Sequence, residues 1–129
     1  MNHAPLLLAG AFAASIALAG AAASAPSQGQ SCFQMTSLQS TRPDGDKTIY
    51  ARVGVKQIYR IDLAHRCPEL LSREGIVITP TGGKNLICGP LDFDLRARDV
   101  GGSSTPCFVE RISKLSPEEA AALPKKVVP

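Results

Sequence analysis

Two carboxylates two residues apart, Asp92 and Asp94 in the stretch LDFDLRAR from Leu91 to Arg98, are the pair whose type and spacing could do acid–base chemistry. On one strand face their Cα atoms would stand roughly 6.5 to 7 Å apart, which brings the carboxyl groups into the range used for glycoside hydrolysis. That chemistry needs one acid in a desolvated pocket with a raised pKa. Arg96 and Arg98 continue the same face and would keep both acids ionised. Rings for stacking a sugar are scarce as well, with no Trp and two Tyr in the chain. The pair therefore reads as the solvated, charge-laced side of a strand.

His65 is the one histidine beyond the N-terminal leader, so a two-histidine metal site is excluded and any Ser-His-Asp relay must pass through it. Asp62 and Ser72 are near it in sequence, but no Gly-x-Ser-x-Gly elbow is present. With reduced cysteines, Cys67 and His65 could form a thiol or metal site; with oxidised ones His65 is an exposed turn residue. Thr81-Gly82-Gly83-Lys84 lacks the full phosphate-loop pattern and its helix, and reads as a hairpin turn. These motifs give no catalytic residue, metal or cofactor, and a non-enzymatic role is expected. The best candidate surface is Tyr50, Arg52 and Arg60, a small basic and aromatic group suited to a protein partner or a small anionic ligand. The competing reading pairs both arginines with Asp62 and nearby carboxylates as ordinary cover.

The elements that position these residues begin after a leader. Pro5 to Leu18 is an apolar run followed by small residues, the pattern of a secretory signal peptide with cleavage between residues 21 and 26. It is shorter than the ~20 apolar residues of a bilayer span. Residues 1–25 are thus assigned to the signal, 26–31 to a flexible lead-in, 32–115 to a β domain, and 116–129 to a short helix and tail. The expected location is periplasmic or secreted.

A mature chain of about 100 residues has a small core, and four cysteines in an oxidising compartment imply two bridges. Of three possible connectivities, Cys32–Cys107 with Cys67–Cys88 is expected, because it ties the first element to the last and closes a smaller loop inside. On the chain-entropy model the inner bridge would contribute about 3 kcal/mol and the outer about 4 to 5. The net charge of +3 is mild and scattered, with Lys125-Lys126 the longest basic run. Nucleic-acid binding is not expected.

Cys32 to Leu38 reads as a strand, Gln39 to Lys47 as a loop, and Thr48 to Ala64 as a hairpin. If Gly54, Val55 and Lys56 turn the chain, Val53 pairs with Gln57, Ala51 with Tyr59 and Ile49 with Ile61, which keeps the apolar set on one face. Gly75 to Pro80 has the β-branched density of a central strand. In Leu91 to Asp99, Leu91, Phe93, Leu95 and Ala97 should face inward. Gly101 to Pro106 reads as a loop and Cys107 to Ile112 as the last strand. Ser116, Pro117 and Glu119 form an N-terminal helix signature that Pro124 ends, a stretch of about two turns either docked by Leu115 and Leu123 or left partly free. The expected fold is mainly β: a small antiparallel, curled or barrel-like sheet of five to six strands, two disulfides and one short C-terminal helix.

The Cys32-Phe33 start, Ile49-Tyr50-Ala51-Arg52-Val53-Gly54, Tyr59-Arg60-Ile61-Asp62-Leu63, Cys67-Pro68-Glu69-Leu70, Leu86-Ile87-Cys88-Gly89 and Cys107-Phe108-Val109 together resemble a family of small exported bacterial proteins defined only as a domain of unknown function. The resemblance spans residues 32 to 112. It implies an exported four-cysteine domain and carries over no functional residue. The role expected is a non-catalytic binding module of the cell envelope; an inhibitor of an exported hydrolase and a small hydrolase using Asp92, Asp94 or His65 are the alternatives.

Overall fold

The structure, a computed structural model, describes residues 31–129. The expected signal peptide, its cleavage site and nearly all of the lead-in lie outside the described residues. The strands are β1 (Phe33–Gln34), β2 (Leu38–Asp44), β3 (Thr48–Val53), β4 (Gln57–Leu63), β5 (Ile76–Pro80), β6 (Leu86–Ile87), β7 (Phe93–Arg98), β8 (Ser104–Pro106) and β9 (Val109–Lys114), followed by helix α1 (Pro117–Ala121). They pair antiparallel in three sheets ordered β2-β3-β4-β9, β5-β7-β8 and β1-β6. The mainly β class, the two disulfides and the short C-terminal helix are as expected, with more strands and a split sheet.

The β3–β4 hairpin has the register its apolar alternation demands, with Val53 opposite Gln57, Ala51 opposite Tyr59 and Ile49 opposite Ile61. Gly54 takes the left-handed φ of 61° that opens its turn. The inward residues Ile49, Ala51, Ile61 and Leu63 pack against Phe93, Leu95 and Ala97 of β7 in one core. Each buried Ile or Leu there contributes about 1.5 to 3 kcal/mol over an exposed one. Phe33 closes one end, its ring 4.9 Å from that of Tyr59. The Tyr59 hydroxyl donates to the Cys32 carbonyl at 3.3 Å, and burial raises its pKa.

Four expectations change. Gln39 to Lys47 is not a loop: β2 runs through it to Asp44, which pairs with Thr48. Its polar residues and Pro43 hid it, and both are tolerated because β2 is an outermost strand. Next, β7 starts at Phe93, because Pro90–Asp92 forms a 3-10 turn that leaves Leu91 89% exposed instead of inward. Thr81–Gly83 turns the chain without closing a hairpin, since β5 pairs with β7 and β6 with β1. Finally, the Gly101–Pro106 segment carries β8, and the last strand runs Val109–Lys114.

The disulfide pairing differs too. The bridges are Cys32–Cys88 and Cys67–Cys107, not Cys32–Cys107 and Cys67–Cys88. The first element lies beside β6, with Phe33 opposite Ile87, and extending that antiparallel register by one residue sets Cys32 against Cys88. At the other bridge, Leu63 pairs with Val109 and the Ala64 N–H donates to the Phe108 carbonyl at 2.9 Å. The end of β4 therefore holds Cys67 near Cys107.

The C-terminal segment lies on the outer face of the four-stranded sheet. Ser116 accepts from the Glu119 N–H at 3.2 Å, and the Glu119 carboxylate accepts from the Ser116 N–H at 2.8 Å, the expected capping box. Leu115, Ala120, Leu123 and the buried Val127 pack on Tyr50 and Ile58.

Candidate functional site

Asp92 and Asp94 are in different elements and do not form a pair. The Asp92 carboxylate accepts the Cys88 and Gly89 N–H groups, both at 2.9 Å, with Lys84 Nζ at 3.6 Å. Those backbone donors first, and Lys84 after them, hold its pKa below the usual carboxylate range. The arginines expected to depress it are not the cause. Asp94 is exposed on β7 and bonded to Arg96 Nε at 3.2 Å. The lowered pKa of Asp92 is the opposite of what a general acid would require.

His65 lies exposed in the connection after β4. The Ser72 hydroxyl is 2.7 Å from the Glu69 carbonyl and 2.9 Å from that of Arg98, which ties a turn to the end of β7. All four cysteines are bridged, so the thiol reading of Cys67 has no free sulfur to use. Among the described residues no three of His, Cys, Asp and Glu come together as a metal cage.

Tyr50, Arg52 and Arg60 do share a face: Tyr50 is opposite Arg60, and Arg52 is two residues along β3. That face is largely occupied by the chain itself. Tyr50 is buried under Val127, and Arg52 Nε donates to the Pro129 carbonyl oxygen at 2.8 Å. Arg60 Nε donates to Asp62 at 2.8 Å, Arg111 Nη2 donates to the other carboxylate oxygen at 3.1 Å, and Thr48 Oγ1 lies 3.3 Å away. Burial by itself would raise the Asp62 pKa. The two guanidinium bonds and charges outweigh it and hold the group below its ordinary value.

The row that contains Tyr50 and Arg60 continues onto β2, where Arg42 is opposite Tyr50. Arg42 is at the rim of a recess of about 140 Å³ whose other cations are Arg73 and Lys126. Leu70, Ile76 and Pro43 form its apolar lining and Glu69 its one carboxylate. Among the described residues none of the three cations has an ion-pair partner, unlike Arg60, Arg66, Arg96 and Arg111. Three local devices bring them together. Pro68 and Glu69 start a 3-10 turn that buries Leu70 and ends at Arg73. Arg73 has a left-handed φ of 59°, the one such non-glycine among the described residues. The tail that follows α1 delivers Lys126 to the same edge.

The recess is too small for the ~300 Å³ or more of a drug-sized ligand. It suits one carboxylate or phosphate group, which guanidinium forks recognise well. None of its cations was apparent as a site in the sequence. Arg42 fell in a stretch that reads as loop, Arg73 in a short connection, and Lys126 in an ordinary basic pair.

Fold and surface thus define a small, doubly bridged, open β domain with a compact cationic recess at one sheet edge. The chain belongs to the Family of unknown function (DUF6491), whose model matches residues 4–127. No curated protein and no solved structure matches it.

Proposed function

We propose that the domain is a non-catalytic binding module that takes an anionic group, a carboxylate or a phosphate, between Arg42, Arg73 and Lys126. The observation that carries this reading is the three unpaired cations around one recess with an apolar floor. Only Glu69 opposes them, so the local excess is positive and an incoming anion replaces no existing ion pair. The two bridges and the apolar leader support a periplasmic or secreted setting, where cystines persist.

Titration of the isotopically labelled, disulfide-bridged protein with acetate, and separately with inorganic phosphate, tests it by NMR. Saturable shifts confined to residues around Arg42, Arg73, Gly75 and Lys126, and lost in Arg42→Ala with Arg73→Gly, are the expected result. Shifts that never saturate or scatter over the surface would discard the recess as a site.

A second reading keeps the same ligand class on the Tyr50, Arg52 and Arg60 face. It is favoured by one contact: Arg52 already holds an oxygen, that of Pro129. Arg52→Glu with Arg60→Glu separates the two, since it should leave acetate binding at the recess intact and abolish binding on the outer face.

A further inference from the structure

The recess is one end of a longer groove. Strands β2 and β5 are the outermost strands of their sheets, and an open channel of about 360 Å³ runs between Leu38–Thr41 and Ile76–Ile78. Thr41 and Ile76 line both the channel and the recess. The floor is half-buried Met35, Leu38, Ile76 and Ile78, packed on the core below.

The two edges are unequal. Strand β2 carries the features that deter pairing: charged Arg42 and Asp44, Pro43 without an N–H, and a register break between Leu38 and Ser40. Strand β5 carries Ile76, Val77, Ile78 and Thr79 without a charge, and its register to β7 is unbroken. The Arg98 N–H donates to the Gly75 carbonyl at 3.0 Å, so Gly75 faces β7. By the two-residue alternation Val77 and Thr79 face β7 as well, which turns the N–H and C=O groups of Ile76 and Ile78 to the channel.

We propose that an extended peptide adds antiparallel to β5, with its C-terminal carboxylate seated between Arg42, Arg73 and Lys126. The proposal rests on the anion-binding reading of the recess and names its ligand. Charge complementarity fixes both occupant and direction. The cations sit where β5 begins, next to Gly75, and a strand running antiparallel to β5 ends there. A chain terminus brings a carboxylate whatever its last side chain. Main-chain bonds to Ile76 and Ile78 would supply affinity, and the apolar floor would select alternate side chains.

The test offers the disulfide-bridged protein two pools of random, N-acetylated pentapeptides, one with free C-terminal carboxylates and one amidated. Enriched members are then resynthesised in both forms. The free-acid forms should bind at least tenfold more tightly than their amides, with β-branched residues enriched. Ile78→Pro removes an N–H that faces the channel and not β7, a position where a strand tolerates proline. It should cut peptide affinity at least tenfold while leaving the acetate-induced shifts at Arg42 and Arg73. Equal binding of acids and amides, full affinity in Ile78→Pro, or no enrichment from either pool would overturn strand addition. If acetate shifts persist in that case the anion recess stands; if they are absent too, both readings fall. A dimer that dissociates in Ile78→Pro and competes with peptide would assign the edge to a second copy of this chain and overturn the proposal.

Discussion

The two larger sheets meet along two seams, and the seams are closed by different means. On one side the chain passes directly from β8 to β9 through Cys107, the Cys67–Cys107 bridge crosses the junction, and the Ala64 N–H reaches the Phe108 carbonyl. On the other side β2 and β5 face each other across a channel with no ladder between them. Both seams stand over the same core. Covalent closure of one side relieves the other of the need to pair, so an edge can stay available without the sheets separating. Stability and binding should therefore be separable by mutation.

The largest effect is expected at the closed seam. Cys67→Ala with Cys107→Ala removes a bridge spanning 40 residues and should cost about 4 kcal/mol on the chain-entropy model, read as a lower urea midpoint. In the shared core, Ile61→Ala at a fully buried position should cost about 2 to 5 kcal/mol. At the open seam, Ile76→Thr should cost less than about 1.5 kcal/mol in the same urea experiment, because the residue is half-buried and already borders solvent. A loss as large as that of Ile61→Ala would mean that the channel is closed in solution.

Acid pH sharpens the comparison at the sheet's outer face. The folded pKa of Asp62 lies below its unfolded value, so its contribution is complete above that unfolded value and is lost as pH falls below about 4 toward the folded pKa. The native chain should lose more stability between about pH 5 and pH 2 than Asp62→Asn does; parallel curves would show that Arg60 and Arg111 do not hold the carboxylate in solution. The smallest effect is at the recess. Arg73→Gly relieves a left-handed backbone and should leave stability unchanged or raise it by up to about 1 kcal/mol, in thermal or urea unfolding, while acetate binding weakens.

Local pattern carried a large part of this fold. The β3–β4 register follows from alternation and a glycine turn, and the α1 cap follows from Ser116, Pro117 and Glu119, since both depend on residues close in sequence. Strand β2 was hidden because an outer strand needs neither a continuous apolar face nor every N–H, so Arg42, Pro43 and Asp44 resemble a loop. The bridge pairing depends on which strand lies beside β1, and that is a property of topology that spacing does not encode. The recess was illegible for the same reason. Arg42, Arg73 and Lys126 come from three separate segments, and only the assembled sheets bring them to one rim.

The bridges also interleave along the chain, with Cys67 falling between Cys32 and Cys88 and Cys88 between Cys67 and Cys107. A chain delivered amino end first presents Cys32 and Cys67 to oxidant before the correct partner of either has emerged. The earliest pair available is therefore a wrong one, and a Cys32–Cys67 bond formed at that stage would have to be undone by thiol attack from Cys88. If the chain is delivered into an oxidising space, slow oxidation, which leaves time for Phe33 to find Ile87, should favour the native pairing.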